Sequence, residues 1–345
     1  MNEPGIKGRA SSNKIFHFAG LLVIAASFAL AWLIMDFQIF RQNPLPLPAA
    51  GTSLVVKPGS TLKSIAHQLE QQQIVSDPFY LIVLARYLGL DARIKAGEFQ
   101  LQPGITPEQL LHQLADGKVV QHTITLIEGE TFAQMMQRVS ADKVLTHELE
   151  NTDAETVMNA IGAPGLHPEG RFLPETYHFP RGTTDIDYLR RAFLEMEAFL
   201  EQSWQERDEG LPLKTPYDAL ILASIVEKET AVVEERPLIA GVFVRRLRKG
   251  MKLQTDPTVI YGMGDSYKGD IRYRDLRRDT PYNTYTRYGL PPTPIALPGK
   301  DAILAVLHPA PGEALYFVAR GDGSHKFSST LKQHNRAVDR YQRKR

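Results

Sequence analysis

The chain has 345 residues, with 40 basic against 39 acidic side chains and no cysteine. This length implies two or three domains with a real core, and the near-neutral balance gives no footprint for nucleic acid. Disulfides, thiolate nucleophiles and cysteine-based metal sites are excluded, and the 10 histidines show no HExxH or other close ligand pairing, so neither a metal nor a cofactor is expected.

Residues 15–35 contain no Asp, Glu, Lys or Arg. At about 1.5 Å per residue such a helix crosses a hydrocarbon core of about 30 Å, so a transmembrane helix is expected here. Lys7, Arg9 and Lys14 lie before or at its start, which leaves residues 1–14 cytoplasmic and all that follows on the far side of the membrane. The alternative is a cleaved signal peptide, since Ala29-Leu30-Ala31 resembles a cleavage site. The apolar run continues past that triplet and favours an uncleaved anchor. Residues 36–53 carry Pro44, Pro46 and Pro48 at alternate positions and read as a stiff, extended linker that holds the next domain off the membrane.

A local pattern then recurs three times: a strand-like run, a Gly, a Thr two residues later and an amphipathic run. Gly59, Gly104 and Gly129 are placed to turn the chain out of a strand, and Thr61, Thr106 and Thr131 to cap the following helix. The unequal spacing makes this a reused supersecondary device and not a solenoid. Between the first two copies, residues 77–88 form another helix, opened by Asp77-Pro78 and closed before Gly89. The order strand, helix, helix, strand over residues 54–102 is similar to a LysM module, a small glycan-binding fold. A plain αβ adaptor accounts for it equally well. A LysM-like domain is expected over 54–120 and a connecting subdomain over 121–165.

A mixed catalytic domain is expected over 166–345. It begins with "EGRFLPETYHFP", read as a loop, followed by a long amphipathic helix over 185–204. Thr215, Pro216 and Asp218 then mark a helix start with a capping-box-like carboxylate. Leu222, Ile225 and Val226 share the face of Glu229, whereas Glu227 points about 200° away, beside Leu220, Ala223 and Ser224. An apolar face disfavours the charged form, so Glu229 is the candidate for a carboxyl that keeps its proton near neutral pH. The plainer reading is a solvated Glu-Lys-Glu patch. This helix should end near Glu235, with a second opened by Pro237 and closed at Gly250.

Residues 251–299 are crowded with Thr, Asn, Gln, Asp, Gly, Pro and Tyr, a composition expected of a long irregular binding surface or of a wandering loop packed on itself. Tyr261, Tyr282, Tyr285 and Tyr288 offer flat faces for sugar rings, and Gln254, Asp256 and Asn283 offer hydrogen bonds to hydroxyls and amides. A helix over 301–307, a hairpin turning at Gly321-Asp322-Gly323 and a closing helix over 331–341 complete the chain. His308, His325 and His334 have no evident partner nearby and read as structural.

The strings "ASIVEKET", "RLRKGMKLQTDPTVIYGMG", "YNTYTRYGLPPTPIALPG" and "HPAPGEALYFVARGDGSHKF" closely resemble the YceG-like family of endolytic murein transglycosylases, over about residues 54–340. The resemblance implies an α+β protein with an N-terminal transmembrane helix in the inner membrane, acting on nascent peptidoglycan strands, with peptidoglycan synthases as further partners. It implies that Glu229, the second Glu of EKET, is the catalytic acid and base, and that Gln254, Thr255, Asp256, Asn283 and Tyr285 line the substrate groove. The reaction it implies breaks the glycosidic bond of N-acetylmuramic acid and closes a 1,6-anhydro ring. Two rivals differ in class. A hydrolase would use Asp256, Glu227 or Glu175 to activate water, and a non-enzymatic anchor would bind the wall through residues 54–120. Thr293 stands where the family usually has Gly, which puts a close backbone approach there in doubt.

Overall fold

The computed structural model describes residues 10–343, with side chains from residue 16 onward. Residues 1–9 of the predicted cytoplasmic segment, with Lys7 and Arg9, therefore lie outside the described backbone, and the chain divides after Gln121 into two compact units.

The first unit opens with α1 (Ala10–Gln42), whose stretch Phe16–Gln42 is long and apolar enough to cross a membrane by length and composition. The helix outruns the expected linker boundary at residue 36, and its last turns are part of the folded unit. Phe37 and Phe40 pack edge-on against Tyr80, whose hydroxyl donates to Asp36, and Arg41 grips Glu108 with two nitrogens at 2.6 and 2.7 Å. Leu45 is buried and its N–H donates to Ile105 O. The segment expected as a free-standing spacer is thus partly fastened down, because its apolar side chains find a core to enter.

Next come β1 (Thr52–Val56), α2 (Leu62–Gln71), α3 (Pro78–Tyr87), β2 (Gly97–Leu101) and α4 (Pro107–Asp116). The strands pair antiparallel, from Thr52 opposite Leu101 to Val56 opposite Gly97. The βααβ order is the one expected from the sequence. Thr61 and Thr106 cap α2 and α4, and Gly59 and Gly104 adopt the left-handed φ values (77° and 87°) that a side chain resists. Each such cap is worth about 1 kcal/mol. Leu54, Ile65, Leu69, Leu81, Phe99 and Leu110 form the core between strands and helices.

The second unit holds β3 (Gln121–Thr125), α5 (Phe132–Ala141), α6 (Ala154–Ala160), β4 (Thr176–Pro180), α7 (Asp185–Gln205), α8 (Pro216–Glu229), α9 (Arg236–Arg248), α10 (Asp256–Met263), α11 (Tyr273–Arg277), α12 (Lys300–Leu307), β5 (Tyr316–Ala319), β6 (His325–Ser328) and α13 (Leu331–Tyr341). Thr131 caps α5, the third copy of the recurring device. Residues 169–175 of "EGRFLPETYHFP" are the loop expected, but its last five residues are the strand β4, paired with β3: Tyr177 and Phe179 are buried while Thr176 and His178 face solvent, an alternation of period two that the prolines obscured. Residues 121–165 share one core with β4 and the first half of α7, whose second half enters another core built on α8, α9 and α12.

The long polar stretch 251–299 is less irregular than its composition suggested. Thr255 is the N-cap of α10 and Pro257 lies in its first turn, a start signal hidden among the many other prolines. Tyr261 and Tyr282 pack against each other, with ring centroids 4.9 Å apart, and Tyr261 donates to Glu169, so neither offers a face to a sugar. Thr293 turns its hydroxyl inward to Tyr282 and Pro294 O, so an internal contact takes the place of the close approach in doubt.

Candidate active site

Helix α8 begins as its sequence requires. Thr215 Oγ1 accepts from Asp218 N, the Asp218 carboxylate returns the bond to Thr215 N, and Pro216 occupies the first turn. Every residue from Ala219 to Val226 is buried, so the helix has no solvated face. The distinction between an oily and a polar side, used to separate Glu229 from Glu227, therefore does not exist. What separates them is their partners.

Glu227 is an ion-pair residue. Its carboxylate takes a hydrogen bond from Arg236 at 2.8 Å and another from Gly299 N at 2.9 Å, with both charged side chains almost wholly enclosed. Lys228 reaches Gly129 O at 2.9 Å. These two residues fasten the end of the helix. Glu175 is occupied too, by Lys300 at 2.7 Å.

Glu229 is the last helical residue, six residues before the expected end. Thr230 is extended (φ −148°, ψ 138°), and its hydroxyl accepts from Val232 N, which draws the chain out of the helix. Two consequences follow for the carboxyl. It lies where the helix dipole is negative, which opposes ionisation. It also opens onto a cleft of about 590 Å³, a volume usual for small-molecule sites.

The cleft is formed by α8 with Glu229, by α9 with Arg246, by the run Leu253 to Asp256, by Tyr285, and by β5, His325 and α13. Burial raises the Glu229 pKa from 4.5 to about 7, and the negative charge of Asp256 adds to the rise. Thr255 Oγ1 donates to Glu229 Oε1 and pulls the other way, as do the positive charge of Arg246 and the nearby His325. The net result is a carboxyl that holds its proton up to neutral pH but can release it.

Thr255 is itself held from below. Its N–H donates to Thr284 Oγ1 at 3.1 Å, its carbonyl accepts from Thr258 Oγ1 at 2.8 Å, and the hydroxyls of Thr258 and Thr284 are 2.9 Å apart. Gln254 before it has φ of +52°, rare for a residue with a side chain, and this turn leaves its side chain exposed at the cleft. We expect Thr255→Val, which deletes the donor to Glu229, to raise the Glu229 pKa further and move the alkaline limb of the activity profile to higher pH. A pH–rate series checks this, and an unmoved limb would show that the hydroxyl does not act on the carboxyl.

Of the residues expected to bind substrate, Gln254, Thr255, Asp256 and Tyr285 are brought together around Glu229. The Tyr285 hydroxyl donates to Asp256, and burial, followed by that bond, raises its pKa. Asn283 is a correction. It is fully buried, its Nδ2 faces the carbonyls of Asp275, Leu276 and Arg278, and its Oδ1 accepts from Tyr285 N. Buried and bonded within the loop, its amide does not reach the cleft, and its role is to shape the loop that presents Tyr285.

Among the cleft residues not anticipated are Arg246, Tyr316, His325 and His334. The Arg246 guanidinium lies over the Tyr316 ring, on which His334 stacks at 5.2 Å. His325 pairs with Glu235, and His308, outside the cleft, with Asp208. No local signal marked these residues, because their partners lie far away in sequence. Among the described residues no cluster of three or more side chains is arranged to hold a metal ion.

The model of the YceG-like family matches residues 54–340. The endolytic murein transglycosylase of Bacillus subtilis (strain 168) is 30% identical over 300 residues, covering 82% of each chain. That of Streptococcus pneumoniae R6 is 29% identical over 342 residues, covering 88% of this chain and 61% of the relative. A YceG-like protein from Listeria monocytogenes, with a crystal structure at 2.6 Å, superposes with a TM-score of 0.52 at 28% identity, covering 84% of this chain and 99% of that one. With most of its length matched, the chain belongs to the YceG-like family.

Proposed function

We propose that this protein is a membrane-anchored lytic transglycosylase of peptidoglycan that cuts within glycan strands. Relatives named for that activity over most of the chain support the enzyme class. The observation that carries the chemistry is Glu229: a carboxyl whose pKa lies at about 7, at the end of a buried helix, facing the cleft.

Protonated Glu229 gives its proton to the glycosidic oxygen as the bond from C1 of N-acetylmuramic acid breaks and positive charge develops at that carbon. The C6 hydroxyl of the same sugar then attacks C1. Its proton is released, the carboxylate of Glu229 regains one, and the product ends in a 1,6-anhydro ring. Water is not consumed. Gln254, Thr255, Asp256 and Tyr285 line the path of the strand and supply its polar contacts.

Asp256 gives the second reading its footing, because it is a carboxylate in the same cleft. Were it to activate water, the enzyme would be an inverting hydrolase. Mass spectrometry of strands cleaved in ¹⁸O-labelled water separates the two. Unlabelled anhydro ends are the expected result, and labelled reducing ends would replace the transglycosylase reading with hydrolysis. The rate should fall above about pH 7 as Glu229 loses its proton.

The membrane-proximal unit is read as a LysM-like module that binds glycan. The basic N-terminal residues favour a cytoplasmic N-terminus, with both units on the outer face of the inner membrane. There the substrate would be strands newly made by synthases, whose elongation each cut would end. If binding were the sole activity, incubation with purified strands would give retention without new ends.

A further inference from the structure

Ring closure requires a base for the C6 hydroxyl, and the cleft contains a second group built to act as one. His325, the first residue of β6, lies on the cleft wall. Its Nδ1 is 2.6 Å from Glu235 Oε2, and its backbone N–H donates to Glu235 Oε1 at 2.9 Å. A carboxylate gripping both positions assigns the ring proton to Nδ1 and leaves Nε2 as the basic nitrogen. The two side chains are only 10% and 13% exposed, and the Phe317 ring meets the imidazole edge to face at 5.5 Å, so the ring is held in one orientation. Glu235 follows closely on the helix that ends at Glu229, and its bond ties that corner to the hairpin carrying His325.

We infer that His325 is the residue that takes the proton of the substrate's C6 hydroxyl, with Glu235 as its positioning residue. Carboxylate, imidazole and hydroxyl would then follow the order of the hydrolytic Asp-His-Ser triad, the hydroxyl being supplied by the sugar instead of the protein. The inference rests on the reaction proposed above and divides its labour. Glu229 protonates the glycosidic oxygen as the bond to C1 breaks. The oxygen of the C6 hydroxyl forms the new bond to C1 while its proton passes to Nε2. The resulting imidazolium, steadied by Glu235, hands that proton to the Glu229 carboxylate, directly or through a water, and the enzyme returns to its starting state. The other charged or titratable groups of the cleft are Arg246, Asp256, Tyr285, Tyr316 and His334, and none of them has a carboxylate fixing an imidazole.

The test uses the full-length protein in detergent with uncrosslinked glycan strands, comparing His325→Ala, His325→Gln and Glu235→Gln. Loss of a general base is expected to slow anhydro-end formation about 10²-fold or more in both His325 variants, with strand binding unchanged. Added imidazole should restore about tenfold in His325→Ala and nothing in His325→Gln, while Glu235→Gln lowers kcat at an unchanged KM. A rate within about threefold of the native one in His325→Gln would overturn the inference, as would a folded His325→Ala variant that imidazole does not revive. If the alanine variant does not fold, the glutamine variant and the kcat against KM split of Glu235→Gln decide. A native enzyme that makes no anhydro ends would instead remove the reaction on which the inference rests.

Discussion

Glu229→Gln is expected to abolish strand cleavage, with a loss of at least about 10²- to 10⁴-fold, while binding of strands persists. Glutamine keeps the size of the side chain and a hydrogen-bond partner for Thr255, but it has no proton to give. Counting ends released per enzyme, beside a pull-down of intact strands, checks both halves. Cleavage at the native rate would take the chemistry away from this residue.

The same variant reports on the unusual carboxyl through stability. The folded-state pKa of Glu229 is raised, from 4.5 to about 7, so the native fold binds a proton more tightly than the unfolded chain does. That contribution is fully present below the ordinary carboxylate range and is lost as pH rises through about 7. Glutamine makes no such contribution. Relative to the native chain, Glu229→Gln should therefore gain thermal stability between pH 5 and pH 8, and a difference in Tm that does not change with pH would contradict the raised value.

The second large effect is structural. Arg236→Ala leaves the Glu227 carboxylate enclosed without its cation, and breaking a buried pair from one side costs about 3–5 kcal/mol. Denaturant unfolding should show that loss. Replacing both partners together, Glu227→Leu with Arg236→Met, should recover most of it, because no buried charge is then left alone. Activity of the single variant should also fall, since the pair fixes the end of the helix that holds Glu229. A single variant as stable as the native chain would mean that water or another cation already screens Glu227.

Much of the fold was legible because its signals are local. The capping box of α8, the Gly and Thr pairs that open α2, α4 and α5, and the hairpin β5–β6 each depend on hydrogen bonds between residues a few positions apart. The strand β4 and the helix α10 were not legible, since prolines that mark loops elsewhere stand at their ends here. Asn283 and Tyr261 were misjudged for a related reason: polar and aromatic residue types say what a side chain can do, not whether its capacity is already used.

By itself, the sequence determined the start of the central helix, the presence of a carboxyl at Glu229, the apolar N-terminal stretch and, through its long motifs, the family. Tertiary structure alone decided that Glu227 is neutralised by Arg236, that Thr255 donates to Glu229 across 26 positions and that Glu235 orients His325 across 90. The physical reason is the range of the forces involved. Helix caps and turns are closed by neighbours along the chain, whereas desolvation, and the proton affinity that follows from it, depends on which distant segments pack around a charge and exclude water.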